Sequence, residues 1–404
     1  MLMGMSWLIA GPATENLIVN MNFAVKDARP ASSARSATAL LHVLNKAETL
    51  QFVEERQDFL DRAAGKNPFA SSAWTLHFIR EVAGDDWIFV IPHCQDEDES
   101  LILLYAERRA PHRLLAVANF YTSLYSPLIS SARDRSAAID ALVDRLLARQ
   151  RDCATVDLGP LDADSPDTAA LASAFARHGW YVKRYFRFGN WSHACQGQSF
   201  EDYMAGRDGK IRHTWQRKTK KFRSLGPAAR LEIITDSQGV EAAMDAYEAV
   251  YVQSWKDSEH YPLFVRHWAR ICAREGWLRL GLAWIGEVPV AAQFWFTLHG
   301  RANIFKLAYD QRYAQWSPGT VLGAYLFQYS LDQDRVAEID YLTGDDSYKR
   351  DWMSRRRQRI GLLACNTRTW RGLTQAAWEF AAQLSSPWRR RFLFPGGPKG
   401  GISP

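Results

Sequence analysis

Apolar residues recur along this chain with two spacings, one helical and one strand-like, and the order in which the spacings alternate predicts its elements. From Lys46 the spacing is helical: Leu50, Phe52-Val53, Phe59-Leu60 and Ala63-Ala64 form one apolar face that Gly65 ends. A second helix is expected over 71–82. Short runs rich in β-branched and aromatic residues then predict strands at 87–92, 101–105 and 114–118. Helix 136–149, strand 155–158, helix 167–178 and strand 180–188 follow. The second half opens with a long helix over 200–223 and a strand at 231–235, then helices 240–255 and 262–274. Strands 278–284, 288–296 and 302–309 come next, followed by helix 318–331, strands 338–342 and 360–365, and a last helix over 370–384.

Both halves thus run helix, helix, three strands, helix, strand and a final strand. The turn after the third strand also echoes, with Tyr125-Ser126-Pro127 in the first half where Trp316-Ser317-Pro318 stands in the second. Two related lobes of α/β type, each with a mixed sheet, are the expectation. Strands joined by short turns pair antiparallel, while the strand reached through a helix lies parallel. Such a change of direction leaves an opening between parallel neighbours that can hold a ligand. Residues 1–44 read as a tail or linker, 45–190 and 195–384 as the lobes, and 385–404 as a basic tail. A length of 404 residues suits two domains.

Composition adds limits. With 47% hydrophobic and 23% charged residues, sizeable cores can be buried. The sixteen Trp are read as core fillers before any stacking surface. A net charge of +6 and a pI near 9.0 favour anionic ligands. Five Cys, at 94, 153, 195, 272 and 365, form no Cys-x-x-Cys pair and suggest reduced thiols, hence a cytoplasmic protein. The apolar opening Met1-Leu2-Met3-Gly4-Met5 lacks a basic segment and is too short to span a bilayer. Met21 offers a second start, so residues 1–20 read as an upstream extension or a loose tail. At the other end, Trp388-Arg389-Arg390-Arg391-Phe392-Leu393-Phe394 either touches an anionic membrane surface or frays in solvent.

Gly-x-Ser-x-Gly, His-Glu-x-x-His and P-loop patterns are absent, and the ten His lack ligand spacing. That excludes the usual serine, zinc and P-loop chemistries, and no metal is expected. Ser317-Pro318-Gly319-Thr320 combines an N-cap residue, a Pro at the first helical position and a Gly that admits a close ligand. It is either a well-capped helix or a site for phosphate or carboxylate at a helix N-terminus. The strand from Glu338 ends at Gly344 and delivers Asp345, Tyr348 and Lys349, groups that can move a proton and hold an anion. Lys306, inside Ile304-Phe305-Lys306-Leu307-Ala308, faces a cleft or pairs with a carboxylate, and Gln293 raises the same question one strand earlier. Seven of residues 210–223 are Lys or Arg, with Ile211, Trp215 and Phe222 on one stripe. This is a phosphate-binding helix or a solvated face.

Taken in order, these segments resemble the acetyltransferase domain of the CelD/BcsL-type proteins, of the GNAT superfamily and related to Fem-type peptidyltransferases. The matching residues are the basic helix from Ile211-Arg212 to Phe222, Tyr247, Ser254-Trp255-Lys256, and the run Gly286-Glu287-Val288-Pro289-Val290-Ala291-Ala292-Gln293. Further on they are Lys306-Leu307-Ala308-Tyr309-Asp310, Ser317-Pro318-Gly319-Thr320, Asp340-Tyr341, Gly344-Asp345 and Tyr348-Lys349-Arg350-Asp351-Trp352. The first half agrees through Asn67-Pro68-Phe69 and Tyr125-Ser126-Pro127. The resemblance implies two tandem GNAT-like lobes and transfer of an acetyl or other acyl group from acyl-CoA to an amine or hydroxyl. Some relatives are linked to cellulose or exopolysaccharide production, which implies a glycan-precursor acceptor or a non-catalytic place in a synthesis complex. On this reading Asp345 removes a proton or orients the acceptor, and Tyr348 or Tyr309 protonates the leaving thiolate. Gln293, Lys306 or Lys349, with Ser317, Gly319 and Thr320, hold the donor. The usual pyrophosphate loop (Gln or Arg, two residues, Gly, one residue, Gly or Ala) is met only by Gln315-Trp316-Ser317-Pro318-Gly319. Aminoacyl-tRNA, the donor of Fem-type relatives, therefore stays open, and it would give the basic helix a direct role.

Overall fold

In a computed structural model, residues 39–95, 99–130 and 134–393 are described. Strand β1 (Ala39–Leu44) leads into helix α1 (Lys46–Glu54), where Asn45 and Glu48 cap each other's backbone N–H groups. The helical face read across 46–64 is broken. The Arg56 guanidinium takes the Phe52 carbonyl, and α2 (Gln57–Ala64) restarts after it, to be ended by Gly65 at φ 54°. Helix α3 (Ser72–Val82) is capped by Ser71. Strands β2 (Trp87–Cys94), β3 (Ser100–Leu101), β4 (Leu104–Glu107), β5 (Arg113–Ala116) and β6 (Leu128–Ile129) follow. Helix α4 (Arg135–Arg149), β7 (Thr155–Asp162), α5 (Pro166–Arg177) and β8 (Tyr181–Ala194) complete the first half.

The second half comprises α6 (Phe200–Ala205), α7 (Gly209–Arg223), β9 (Ala229–Ile234), α8 (Val240–Val252), α9 (Phe264–Arg274), β10 (Leu278–Ile285), β11 (Val288–Leu298) and β12 (Arg301–Tyr309). Then come α10 (Pro318–Asp332), β13 (Glu338–Asp340), α11 (Ser347–Trp352), β14 (Arg355–Cys365) and α12 (Trp370–Leu393). The single helix expected over 200–223 is two, because Gly206 ends α6 and the Asp208 carboxylate caps α7 through the Lys210 N–H. Residues 39–44, assigned to the tail, instead form β1, in antiparallel register with β2 from Ala39 opposite Cys94 to Leu44 opposite Phe89. At the other end α12 runs on to Leu393, past the point where a flexible tail was expected to begin. Residues 1–38 and 394–404, including the proposed upstream extension, lie outside the described residues.

The fourteen strands among the described residues join one sheet in the order β6-β3-β2-β4-β5-β7-β14-β8-β13-β12-β11-β10-β9, with β1 added on β2. The expected change of direction occurs twice: β5 and β7 pair parallel, as do β12 and β13, while the hairpin neighbours are antiparallel. The last strands are exchanged. β14, from the end of the chain, lies between β7 and β8, and β8, from the first half, pairs with β13 of the second. Three cores result. α4 and α5 cover one face in the first half, and α6, α7 and α10 cover one face in the second. The third core is common to both halves: α1–α3 pack against α8 and α9, with the Trp74 and Trp268 rings edge to face at 5.0 Å.

Candidate active site

Strands β12 and β13 pair only through Arg301–Asn303 and Glu338–Asp340. Beyond that, β12 continues to Tyr309 bonded to β11 alone among the described residues, while the chain after Asp340 turns away. The turn has a local cause. The buried Asp340 carboxylate accepts the Leu342 N–H at 2.7 Å and the Asn190 amide at 2.5 Å, and Asn190 also donates to the Leu342 carbonyl. Leu342 is thereby fixed at φ 56°. The two parallel strands part as the blades of a wedge.

Charged groups gather at the wedge. The bulge between Phe294 and Trp295, opposite Ile304–Lys306, turns Lys306 to the face covered by α8 and α9. Its ammonium meets Glu259 at 2.6 Å and lies over the Tyr121 ring. Of the two expectations for Lys306, the carboxylate partner is therefore present. Glu259, in the α8–α9 loop, also accepts the Tyr121 hydroxyl at 2.6 Å, so a first-half residue closes the cluster. Burial alone would raise the Glu259 pKa, but Lys306 and the phenols outweigh it and hold the carboxyl below its ordinary range. Lys256, three residues earlier in the loop, has no carboxylate within ion-pair distance among the described residues. Burial first, then the charges of Lys306 and Lys349, lower its pKa to about 8. Those charges, together with the opposing Glu259 and Asp346, tie the α8–α9 loop, β12 and the start of α11 into one electrostatic unit.

The other expected residues border this unit with partners of their own. Lys349 is buried, donates to the Thr343 carbonyl at 2.6 Å and pairs with Asp346 at 2.9 Å. Tyr348 is exposed, with its ring edge-on to Tyr341. Asp345 accepts from Trp191 of β8 and is ion-paired to Arg356 of β14, both on the exchanged strands. The hydrogen bonds from Arg356 are the largest cause of a lowered pKa. Its carboxylate occupies the space over Gly189 that any Cβ there would need. Such a carboxylate is a weak base. Tyr309 packs against the exposed Trp255 ring at 4.9 Å and lies under Gly319.

At the start of α10 the N-cap expectation fails. Ser317 sits at φ 53°, its side chain makes no capping bond, and its carbonyl takes the Thr320 and Val321 N–H groups. Pro318 has no N–H to offer, so few backbone donors face outward. Gln293 is spent internally, donating to the Gly319 carbonyl at 2.8 Å and accepting from Trp295. Cations come from α7 instead: Lys218 donates to the Thr320 hydroxyl at 3.1 Å, and Lys221 lies over the Trp316 ring. Among the described residues none of the Lys or Arg side chains of α7 reaches a carboxylate. Phe222 is buried below them and Trp215 packs on Phe200, as the stripe predicted. The first-half echo, Tyr125-Ser126-Pro127, runs into short β6 rather than a helix. Ser126 instead accepts from Asn67, which joins the two first-half segments of the resemblance.

Tyr121, Lys256 and Glu259 escaped the sequence reading as site residues. Only Ser254-Trp255-Lys256 carried a signal, as part of the resemblance; Tyr121 and Glu259 are 138 positions apart and acquire meaning from each other.

Residues 209–350, which contain α7, the wedge and the start of α10, match the family described as an acetyltransferase (GNAT) domain. The second half therefore carries a GNAT acetyltransferase domain, and the chain is an acyltransferase. No curated protein matches the sequence. Among solved structures, FemX aligns with a TM-score of 0.53 at 8% identity, over 82% of this chain and 98% of its own. A conserved protein of unknown function from Bacteroides thetaiotaomicron gives 0.51 at 12% identity, over 78% and 97%. The C-terminal domain of a protein named as a lysylphosphatidylglycerol synthetase, from Agrobacterium fabrum, gives 0.50 at 11% identity, over 82% and 97%. At these identities the likeness is one of fold, and it spans both halves.

Proposed function

We propose that the wedge between β12 and β13 transfers an acyl group from acyl-CoA to an amine or hydroxyl, with Lys256 as the base. The observation that carries this reading is the Lys256 ammonium itself, half-buried beside two other lysines and in ion-pair contact with no described carboxylate, so that burial and those lysines outweigh the pull of Glu259 and Asp346 and lower its pKa to about 8. In its neutral form it takes the acceptor's proton as the acceptor attacks the donor carbonyl. The departing thiolate then takes a proton from Tyr309 or Tyr348. No covalent enzyme intermediate is needed, and positioning supplies much of the rate. Asp345, committed to Arg356, is assigned the orientation of the acceptor rather than proton removal. Ser317, Gly319 and Thr320 border the donor phosphates, with Lys218 and Lys221 supplying the charge that the short backbone cradle lacks. The resemblance to CelD/BcsL-type proteins supports a glycan-precursor acceptor, and the buried thiols of Cys153, Cys195, Cys272 and Cys365 suit a reducing cytoplasm.

A second donor is favoured by one feature. Helix α7 is about 22 Å long at the usual rise per residue, and its unpaired cations run along it, further than a pyrophosphate extends. Aminoacyl-tRNA would use that length. Titration of the full chain with acetyl-CoA, longer acyl-CoAs and tRNA separates the two. The first reading expects saturable acyl-CoA binding that weakens about tenfold in Lys218→Ala/Lys221→Ala. Binding of tRNA alone, falling steeply with salt, would replace acyl-CoA as the donor.

A further inference from the structure

Helix α12 is mounted the wrong way round for a surface helix. The face it turns to the protein is made of small and polar residues: Gly372 lies so close to the Asn366 and Ala154 carbonyls that a Cβ would not fit, and Ala376 is buried. Glu379 pairs with Lys183 at 2.7 Å, and Gln383 accepts from the Tyr181 hydroxyl. The aromatic side chains described on it, Trp370, Trp378 and Phe380, face water. Trp370 is 77% exposed, Trp378 71%, Phe380 54% and Leu373 45%; helical spacing sets Trp370 and Trp378 opposite Gly372, Ala376, Glu379 and Gln383, with Leu373 and Phe380 along one flank of the exposed face. Ala377 and Ala381, also exposed, continue the stripe between them. A soluble helix carries the opposite arrangement, and a contiguous apolar stripe of this kind marks a docking face.

Charge identifies the occupant. Arg389-Arg390-Arg391 fall in the last turns of the same helix, Arg368 and Arg371 are exposed at its start, and no acidic residue occurs from Leu384 to Pro404. A second copy, stacked in either direction, would bring a cationic end against a cationic end. An anionic bilayer brings phosphates. Trp side chains favour the headgroup level of a membrane, and neighbouring arginines add attraction to acidic lipids. No described helix is long and apolar enough to cross a membrane, so the contact lies in the interfacial plane.

We propose that the outer face of α12 docks this enzyme on an anionic lipid surface, with Trp370, Leu373, Trp378 and Phe380 seated among the headgroups. Flotation of the full chain with phosphatidylcholine vesicles, with and without phosphatidylglycerol, tests this without any activity readout. Binding is expected only with the acidic lipid. It should weaken with salt and fall at least about tenfold in Trp370→Ser/Trp378→Ser, whose melting curve should match the parent because both side chains are exposed. Binding to neither vesicle, binding unchanged in the double variant, or a concentration-dependent dimer abolished by the same substitutions would each overturn the proposal.

Discussion

Lys256 and Asp345 illustrate how the environment divides labour between residues that sequence alone cannot rank. Asp345 is the more conventional base, but Arg356 stabilises its charged form and so removes its appetite for a proton. Lys256 is displaced the other way, because burial and two nearby ammonium groups penalise its charge. The sign of the consequence is definite. A lysine lowered to about 8 is protonated below that pH and free to accept a proton above it, so kcat/KM should rise with pH up to about 8 and level off beyond it. Lys256→Met should remove that rising limb and most of the turnover, and Lys256→Arg, which keeps the charge but cannot give up its proton, should do no better. A steady-state pH profile of the three proteins decides it; an Arg variant with parental turnover would leave Lys256 a purely electrostatic role. Lys306 was legible in advance, being a cation in an apolar run. Its partner Glu259 was not, since nothing near that position distinguishes it from any loop carboxylate until the fold brings Tyr121 and Lys306 to it.

At the scale of elements, periodicity located most helices and strands but missed the short β6 and α11 and took β1 for a tail; where it merged α1 with α2 and α6 with α7 the cause is the same, because an amphipathic stripe can continue across a break in the backbone. Ile211, Trp215 and Phe222 extend the face that Phe200, Tyr203 and Met204 begin, so 200–223 looked like one helix although Gly206 and Asp208 stop and restart it. The restart matters because it sets the direction in which α7 carries Lys218 to Thr320 and Lys221 to Trp316. Replacing a capping Asp by Ala typically costs about 1 kcal/mol, so Asp208→Ala should lower stability by about that amount in denaturant melts and weaken donor binding by misdirecting α7. A variant with reduced stability and unaltered donor affinity would separate α7 from the donor. Ser317 errs in the opposite sense. Its residue type and its place before Pro318 announced an N-cap, yet the left-handed turn carries its hydroxyl away from the helix, a conformation that local sequence does not encode.

For the whole molecule, the repeat visible in the sequence hides the way its parts interlock. Reading from one end predicts two lobes with a boundary near 190, because each run of elements looks complete. The sheet joins them by exchange: among the described residues β14 has β7 and β8, both from the first half, as its strand partners, and β8 is the strand against which β13 closes the base of the wedge. The wedge therefore depends on a strand encoded before residue 195, and Asp345 on Trp191 of that same strand. Trp74 and Trp268, fully buried against each other, add a common core to the shared sheet. Such a molecule should unfold as a unit, with one calorimetric transition whose van't Hoff and calorimetric enthalpies agree. Residues 195–404 expressed alone would leave β14 without a partner and expose the α8–α9 face, an edge and a surface that favour aggregation. They should give no cooperative melt, whereas co-expression with residues 1–194 should restore a soluble complex that melts like the parent. A cooperative melt from residues 195–404 alone would show that the exchanged strands decorate an independently stable lobe and do not hold the two together.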